Sequence, residues 1–369
     1  MTFNTPDCPP VGNRFGQEQC PGSFQRWLKK YRFGLLALLL FTSMGLYPVS
    51  VKAEGICPDQ LGEAIAPIVH DPQFRRAHWG ILVQTLEPHL SPTTLYAYDA
   101  EQYFTPASNV KLLTTAAVLT RLEPQFQILT SVYHLTTQSG QQVLRIVGRG
   151  DPSLTEIELR QLVQQIAAQG ISRIDLLLLD NQYFQGDPIN STWEWEDIQA
   201  GYGAAATSLM LNQNAIGLTL VPQALGEPLQ VIWDQPTVGQ SWQIANRTRT
   251  VRVDEAEALQ VGRSFDQPIL QIDGQLRVGS ASEPVTISIP QPVPYFAEQF
   301  QRVLEEEGIR VIQVEMATGA LPTDSTEVAA IASPLLAELL IETNQQSNNL
   351  YAEALLRILG KTQPVSGRS

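Results

Sequence analysis

The run Pro106-Ala107-Ser108-Asn109-Val110-Lys111-Leu112-Leu113-Thr114-Thr115-Ala116-Ala117-Val118-Leu119 decides how the rest of the chain is read. It is a helix start. Ser108 and Lys111 stand three residues apart, a spacing that puts both side chains on one helical face. A serine hydroxyl is a weak nucleophile until a base takes its proton. A lysine can be that base only if desolvation lowers its pKa, and Lys111 sits at the edge of an apolar stretch. Alone, the pair reads more readily as a capping serine followed by a solvated lysine.

Support comes from the far end. Ser347-Asn348-Asn349 lies in a polar break between two helical patterns, Leu335–Thr343 and Leu350–Leu359. A second serine there can relay a proton, and an asparagine amide can hold a lysine and a substrate carbonyl together. These residues also suit helix caps. The first of the two helices is expected to start at Ser333 as cap with Pro334 at its first position, and Gly360 to end the second.

Serine-x-x-lysine followed by serine-x-asparagine is the active-site set of penicillin-binding proteins and serine β-lactamases. The contexts Pro106–Ala117 and Ser347–Arg357, with the turn Gly148–Leu154 and the stretch Gly201–Asn214, resemble the class C low-molecular-mass penicillin-binding proteins, a family of D-alanyl-D-alanine carboxypeptidases and endopeptidases. The 239 residues between Ser108 and Ser347 suit that family, which carries inserted domains there. The resemblance implies a serine acyl-transfer enzyme acting on peptidoglycan stem peptides. Ser108 would be the nucleophile, Lys111 the acylation base, Ser347 the proton relay and Asn349 a substrate-binding contact. β-Lactams would be inhibitors, and no metal or cofactor is implied. The family's third motif, Lys-Thr-Gly, is not matched: Lys361-Thr362-Gln363 follows a helix and has glutamine where glycine is needed.

The fold class implied is α/β (α+β), a penicillin-binding-protein/β-lactamase-like serine transpeptidase fold with a large, mainly β insertion, incomplete at its C-terminus. The expected division is a signal segment over 1–53, the catalytic domain over 54–128 and 286–369, and the insertion over 129–285. Along the chain, 56–70, 106–122, 155–170 and 294–308 read as helices. Thr155 and Glu158 form a capping box, and Ile157, Leu162, Val163 and Ile166 the apolar stripe behind it. Strands are expected at 78–86, 94–98, 129–135, 142–147, 171–179 and 309–314.

The remaining features bound the function. A net charge of −13 over 369 residues argues against nucleic acid, which selects basic surfaces. Arg26, Lys29, Lys30 and Arg32 precede the apolar run 33–46, and Val51-Lys52-Ala53 offers a cleavage site, so export to the periplasm is expected. An uncleaved anchor is the alternative, although the run is shorter than the ~20 residues of a span. Cleavage would remove Cys8 and Cys20 and leave Cys57 alone, with no disulfide framework. The four histidines show no ligand spacing. No protein partner can be read. Two other functions fit less well: an inactive homologue that binds cell-wall peptide through Trp193-Glu194-Trp195-Glu196-Asp197, and a β-lactamase or esterase with the same pair. Adhesion through Arg149-Gly150-Asp151 is discounted, since a turn after a strand explains those residues.

Overall fold

The apolar periods of the sequence settle into helices and strands over residues 56–86 and 91–362, the part described by the structure, which is a computed structural model. The signal segment expected over 1–53 lies outside the described residues. Residues up to Thr105 form one unit and residues from Pro106 another. In the first, α1 (Leu61–Val69) is followed by a hairpin of β1 (Ile81–Gln84) and β2 (Thr94–Tyr98), antiparallel with Ile81 opposite Tyr98. In the full-length chain Cys57 is disulfide-bonded.

The second unit begins with α2 (Val110–Leu122), β3 (Leu129–Thr136), β4 (Gln142–Val147), α3 (Glu156–Ala168), β5 (Arg173–Ile174) and β6 (Leu176–Asp180). Thr155 caps α3 as expected, its hydroxyl accepting from Ile157 N–H while Glu158 accepts from Thr155 N–H. The buried stripe of α3 is Leu159, Leu162, Val163 and Ile166. Ile157 is exposed instead, because it precedes Leu159 by two residues, roughly 200° round the helix, and so lies on the face away from the stripe. The middle of the chain supplies β7 (Ala215–Val221), β8 (Gln230–Trp233), the single turn α4 (Pro236–Gly239), β9 (Gln243–Val251), β10 (Ala258–Arg263), β11 (Ile269–Arg277) and β12 (Glu283–Ser288). These strands make two three-stranded sheets, ordered β12-β7-β8 and β10-β11-β9. The last third contains α5 (Pro292–Glu306), β13 (Arg310–Val311), β14 (Val314–Met316), β15 (Thr326–Ala332), α6 (Leu336–Gln345) and α7 (Asn349–Thr362).

A five-stranded sheet, β14-β6-β4-β3-β15, ties distant sequence together. β4 and β6 are parallel with α3 as their crossover, and β15 closes the edge antiparallel to β3, with Ala332 opposite Leu129. This pairing carries the sheet across the boundary expected at 285: residues 314–332 share hydrogen bonds with 129–180. On the sheet pack α3 and α5, the latter through Phe296, Phe300, Val303 and Leu304. Each such side chain contributes about 1.5–3 kcal/mol on burial. A separate core, Val118, Ile128, Leu336, Leu339, Leu355 and Ile358, joins α2, α6 and α7 into a helical layer.

Two expected helix ends fall elsewhere. Ser333 does not cap α6, which starts at Leu336. Its hydroxyl is buried where β15 ends, accepting from Ile128 N–H at 2.9 Å. Gly360 lies inside α7 and does not end it; the helix runs on to Thr362, with Lys361 over the Tyr183 ring at 5.5 Å. Asp151 is 3% exposed, which removes the adhesive reading of 149–151. Trp195 of the aromatic patch stacks on Phe265, ring centres 5.3 Å apart. Among the described residues no helix is long and apolar enough to cross a membrane.

Candidate active site

The four residues singled out in the sequence meet at the N-terminal ends of two packed helices. Ser108 sits in a 3₁₀ turn, Ala107–Asn109, that runs directly into α2. Lys111, Thr115 and Val118 are the buried residues of α2 and recur at helical spacing, so one face of the helix is pressed into the layer. Val118 anchors that face in the apolar core, and Thr115 meets Asn344 of α6 at 3.3–3.4 Å. The face therefore turns polar as it approaches its N-terminus, and Lys111 is carried inward with it.

Opposite stands the link between α6 and α7. Asn348 caps α7: its Oδ1 accepts from Tyr351 N–H at 3.2 Å, the third position of the helix. That cap fixes Asn349 as the first helical residue and Ser347 just before it. Ser347 adopts φ +55° and Ala107, next to Ser108, φ +46°. Left-handed conformations in non-glycine residues cost roughly 1 kcal/mol or more each, so strain sits on both sides of the site.

The side chains close into a ring. Lys111 Nζ donates to Ser108 Oγ at 3.0 Å, to Ser347 Oγ at 3.4 Å and to Asn349 Oδ1 at 2.5 Å. Ser347 Oγ donates to Ser108 Oγ at 2.8 Å. All three partners of the ammonium are uncharged. Lys111 is only 6% exposed, and burial pulls its pKa below the ordinary lysine range. Ser108 and Ser347 are exposed. An accessible hydroxyl thus leans on a dry amine, the arrangement that nucleophile activation requires.

Sequence reasoning missed the group that orients Asn349. Its Nδ2 donates to the carbonyl oxygen of Tyr202 at 3.1 Å, which leaves Oδ1 aimed at the lysine. A backbone oxygen carries no residue-type signal, although Tyr202 lies in the 201–214 stretch that carries part of the family resemblance.

Residues 61–368 match the family described as D-Ala-D-Ala carboxypeptidase 3 (S13). The chain belongs to that family. Among curated S13-like relatives, a D-alanyl-D-alanine carboxypeptidase of an Actinomadura species is 27% identical over 345 residues, covering 90% of this chain and 63% of its own length. A penicillin-sensitive carboxypeptidase A of Dictyostelium discoideum is 26% identical over 316 residues, covering 79% and 59%. The chain therefore spans about three fifths of the length of these relatives. Among solved structures, penicillin binding protein 4 (dacB) of Haemophilus influenzae superposes with a TM-score of 0.61 at 23% identity, over 72% of this chain and 59% of that one. The penicillin-binding-protein/β-lactamase-like fold expected from the sequence is the fold observed.

In this S13 chain a cleft of about 860 Å³ opens beside the ring. Its walls are the 346–349 link, the turn 152–155, Tyr202 and residues 212–217, with Asp234 and Thr286 farther along. The middle of the chain thus forms most of the wall facing the two motifs.

Proposed function

We propose that this chain is a serine-type D-Ala-D-Ala carboxypeptidase or endopeptidase working on peptidoglycan stem peptides through an acyl-enzyme on Ser108. The observation that carries the reading is the closed Ser108–Lys111–Ser347 ring with Asn349 holding the lysine from behind.

In the reactive state Lys111 is neutral and turns its lone pair to the Ser108 hydroxyl. Ser108 Oγ attacks the carbonyl carbon of the terminal D-Ala–D-Ala bond as Lys111 Nζ takes the proton. That proton returns through Ser347 Oγ to the nitrogen of the leaving D-alanine, and the C–N bond breaks. Water then attacks the ester carbonyl carbon as Lys111 Nζ takes its proton; that proton passes to Ser108 Oγ as the Oγ–C bond breaks, and the shortened peptide leaves with both residues restored. Asn349 divides its amide between Tyr202 O and Lys111, and its exposed flank faces the cleft, where a substrate amide would lie. The Ser108 N–H, at the positive end of α2, supports charge developing on the carbonyl oxygen. These roles rest on residues 108, 111, 347 and 349.

β-Lactams enter the reading as acylating agents of the same serine. A D. discoideum relative is described as penicillin-sensitive, and the H. influenzae protein was solved in complex with a β-lactam. The basic cluster and apolar run ahead of Ala53 support export to the periplasm, where this substrate lies.

The test is D-alanine release from a peptide ending in D-Ala-D-Ala. Release is expected, rising with pH as Lys111 loses its proton and levelling at a pH below the ~10.4 of a free lysine. Ser108→Ala should abolish it. No release, or release that survives Ser108→Ala, would overturn the reading.

A further inference from the structure

Three consecutive residues that are not glycine, Asn212, Gln213 and Asn214, hold φ of +49°, +57° and +51°. Asparagine tolerates that region; glutamine does not share the tolerance, and a β-carbon there is strained. The turn persists because its neighbours overdetermine it. Asn214 is fully buried, with Oδ1 accepting from Leu211 N–H at 3.2 Å and Nδ2 donating to Ala205 O at 2.8 Å and Thr207 Oγ1 at 3.1 Å. Asn212 N–H donates to Leu154 O at 2.9 Å, and its Nδ2 donates to Tyr295 Oη at 3.1 Å. The fold thus spends strain to present one side chain, Gln213, on the wall of the cleft.

That side chain has one described partner. Gln213 Oε1 accepts from Asn348 Nδ2 at 2.8 Å. Asn348 is the cap of α7, and its amide has no freedom left: Oδ1 takes Tyr351 N–H, and Nδ2 also reaches Glu342 Oε1 at 3.3 Å. On either side of Asn348 stand Ser347, itself at φ +55°, and Asn349. Held backbone strain near a reacting group points to a functional demand when the surroundings fix it.

We infer that Gln213 is a positioning residue for the acyl-transfer site: by gripping the Asn348 cap it holds Ser347 in its left-handed conformation and Ser347 Oγ between Ser108 and Lys111. Among the described residues Gln213 makes its side-chain hydrogen bond to Asn348 and none to Ser108, Lys111 or Ser347. The inference deepens the function proposed above and rests on it for its kinetic reading.

The experiment uses the full chain and four variants. Gln213→Gly fits the left-handed turn without a β-carbon and removes the grip. Its melting temperature should hold while the rate of penicillin acylation falls about tenfold, the effect of losing one hydrogen bond from a strained site. Gln213→Glu keeps the acceptor and should recover most of that rate. Asn348→Ala, which also removes the cap and the Glu342 contact, should fall at least as far, and adding Gln213→Gly to it should cost little more, because the Gln213 contact is already gone. Hydrogen exchange of the 346–351 amides, read by mass spectrometry, should quicken in Gln213→Gly. Unchanged exchange there, or a rate loss that tracks melting temperature and is not rescued by Gln213→Glu, would overturn the inference. If the parent chain takes up no penicillin, the proposed function fails, and the exchange experiment still decides whether Gln213 holds the 347–349 link.

Discussion

Lys111 is where burial becomes chemistry. A lysine on an exposed helix would stay charged at neutral pH and could not accept a proton; this one is drawn under the surface by Thr115 and Val118 on the same face. Its partners supply oxygen atoms and no negative charge, so no ion pair offsets the cost of desolvating the ammonium, and burial dominates. A second buried titratable group lies outside the ring. Burial pushes the Asp151 carboxyl up to about 6 from 3.8, and the hydrogen bonds from Ser153 N–H and Oγ only partly counter it. The folded chain therefore holds this proton more tightly than the unfolded one. The stability it contributes is complete below about 3.8 and is lost as pH rises to about 6. The loss is on the order of 3 kcal/mol. Asp151→Asn keeps the Oδ1 acceptor and abolishes the titration. Its melting temperature relative to the parent should climb between pH 4 and pH 6 and then stay level; a constant difference across that range would refute the assignment.

At the scale of elements, the site is the meeting of two helix starts, and their packing fixes its geometry. Most of this was legible. The Ser108–Lys111 spacing, the Ser347–Asn349 break, the Thr155 capping box and the α5 stripe are local patterns, set by residues a turn apart, and each appears where the sequence puts it. Pairings between distant segments were not. β15 was not anticipated, because Glu327-Val328-Ala329-Ala330-Ile331 carries a weak strand signal and owes its place to β3, nearly two hundred residues earlier. The same pairing explains Ser333, whose cap-like sequence was overridden when its hydroxyl became the partner of Ile128 N–H. Ser333→Ala would leave that buried donor unsatisfied and should cost about 1–3 kcal/mol. Denaturant unfolding checks it; a loss under a few tenths would mean the hydroxyl is not needed there. The carbonyl of Tyr202 was illegible for a different reason, since a backbone oxygen is defined by position and not by residue type.

Across the second unit, the middle of the chain is more than an insertion between two motifs. It lends β3, β4 and β6 to the sheet that β14 and β15 complete, and it lends Tyr202 and Gln213 to the wall of the cleft. Loss of the β region should therefore disable the site. Four of the six tryptophans, Trp193, Trp195, Trp233 and Trp242, report on that region; Trp27 and Trp79 precede residue 106, and α2, α6 and α7 contain none. On heating, tryptophan fluorescence and the capacity for serine acylation should fall together. Acylation lost well below the fluorescence midpoint would show that the helical layer melts on its own. The most direct measurement is the mass of the intact folded protein after incubation with penicillin. A gain of one penicillin per chain, absent in Ser108→Ala, is the expected result. No gain on a folded chain, or an adduct that persists in Ser108→Ala, would contradict the assignment of Ser108 as the nucleophile.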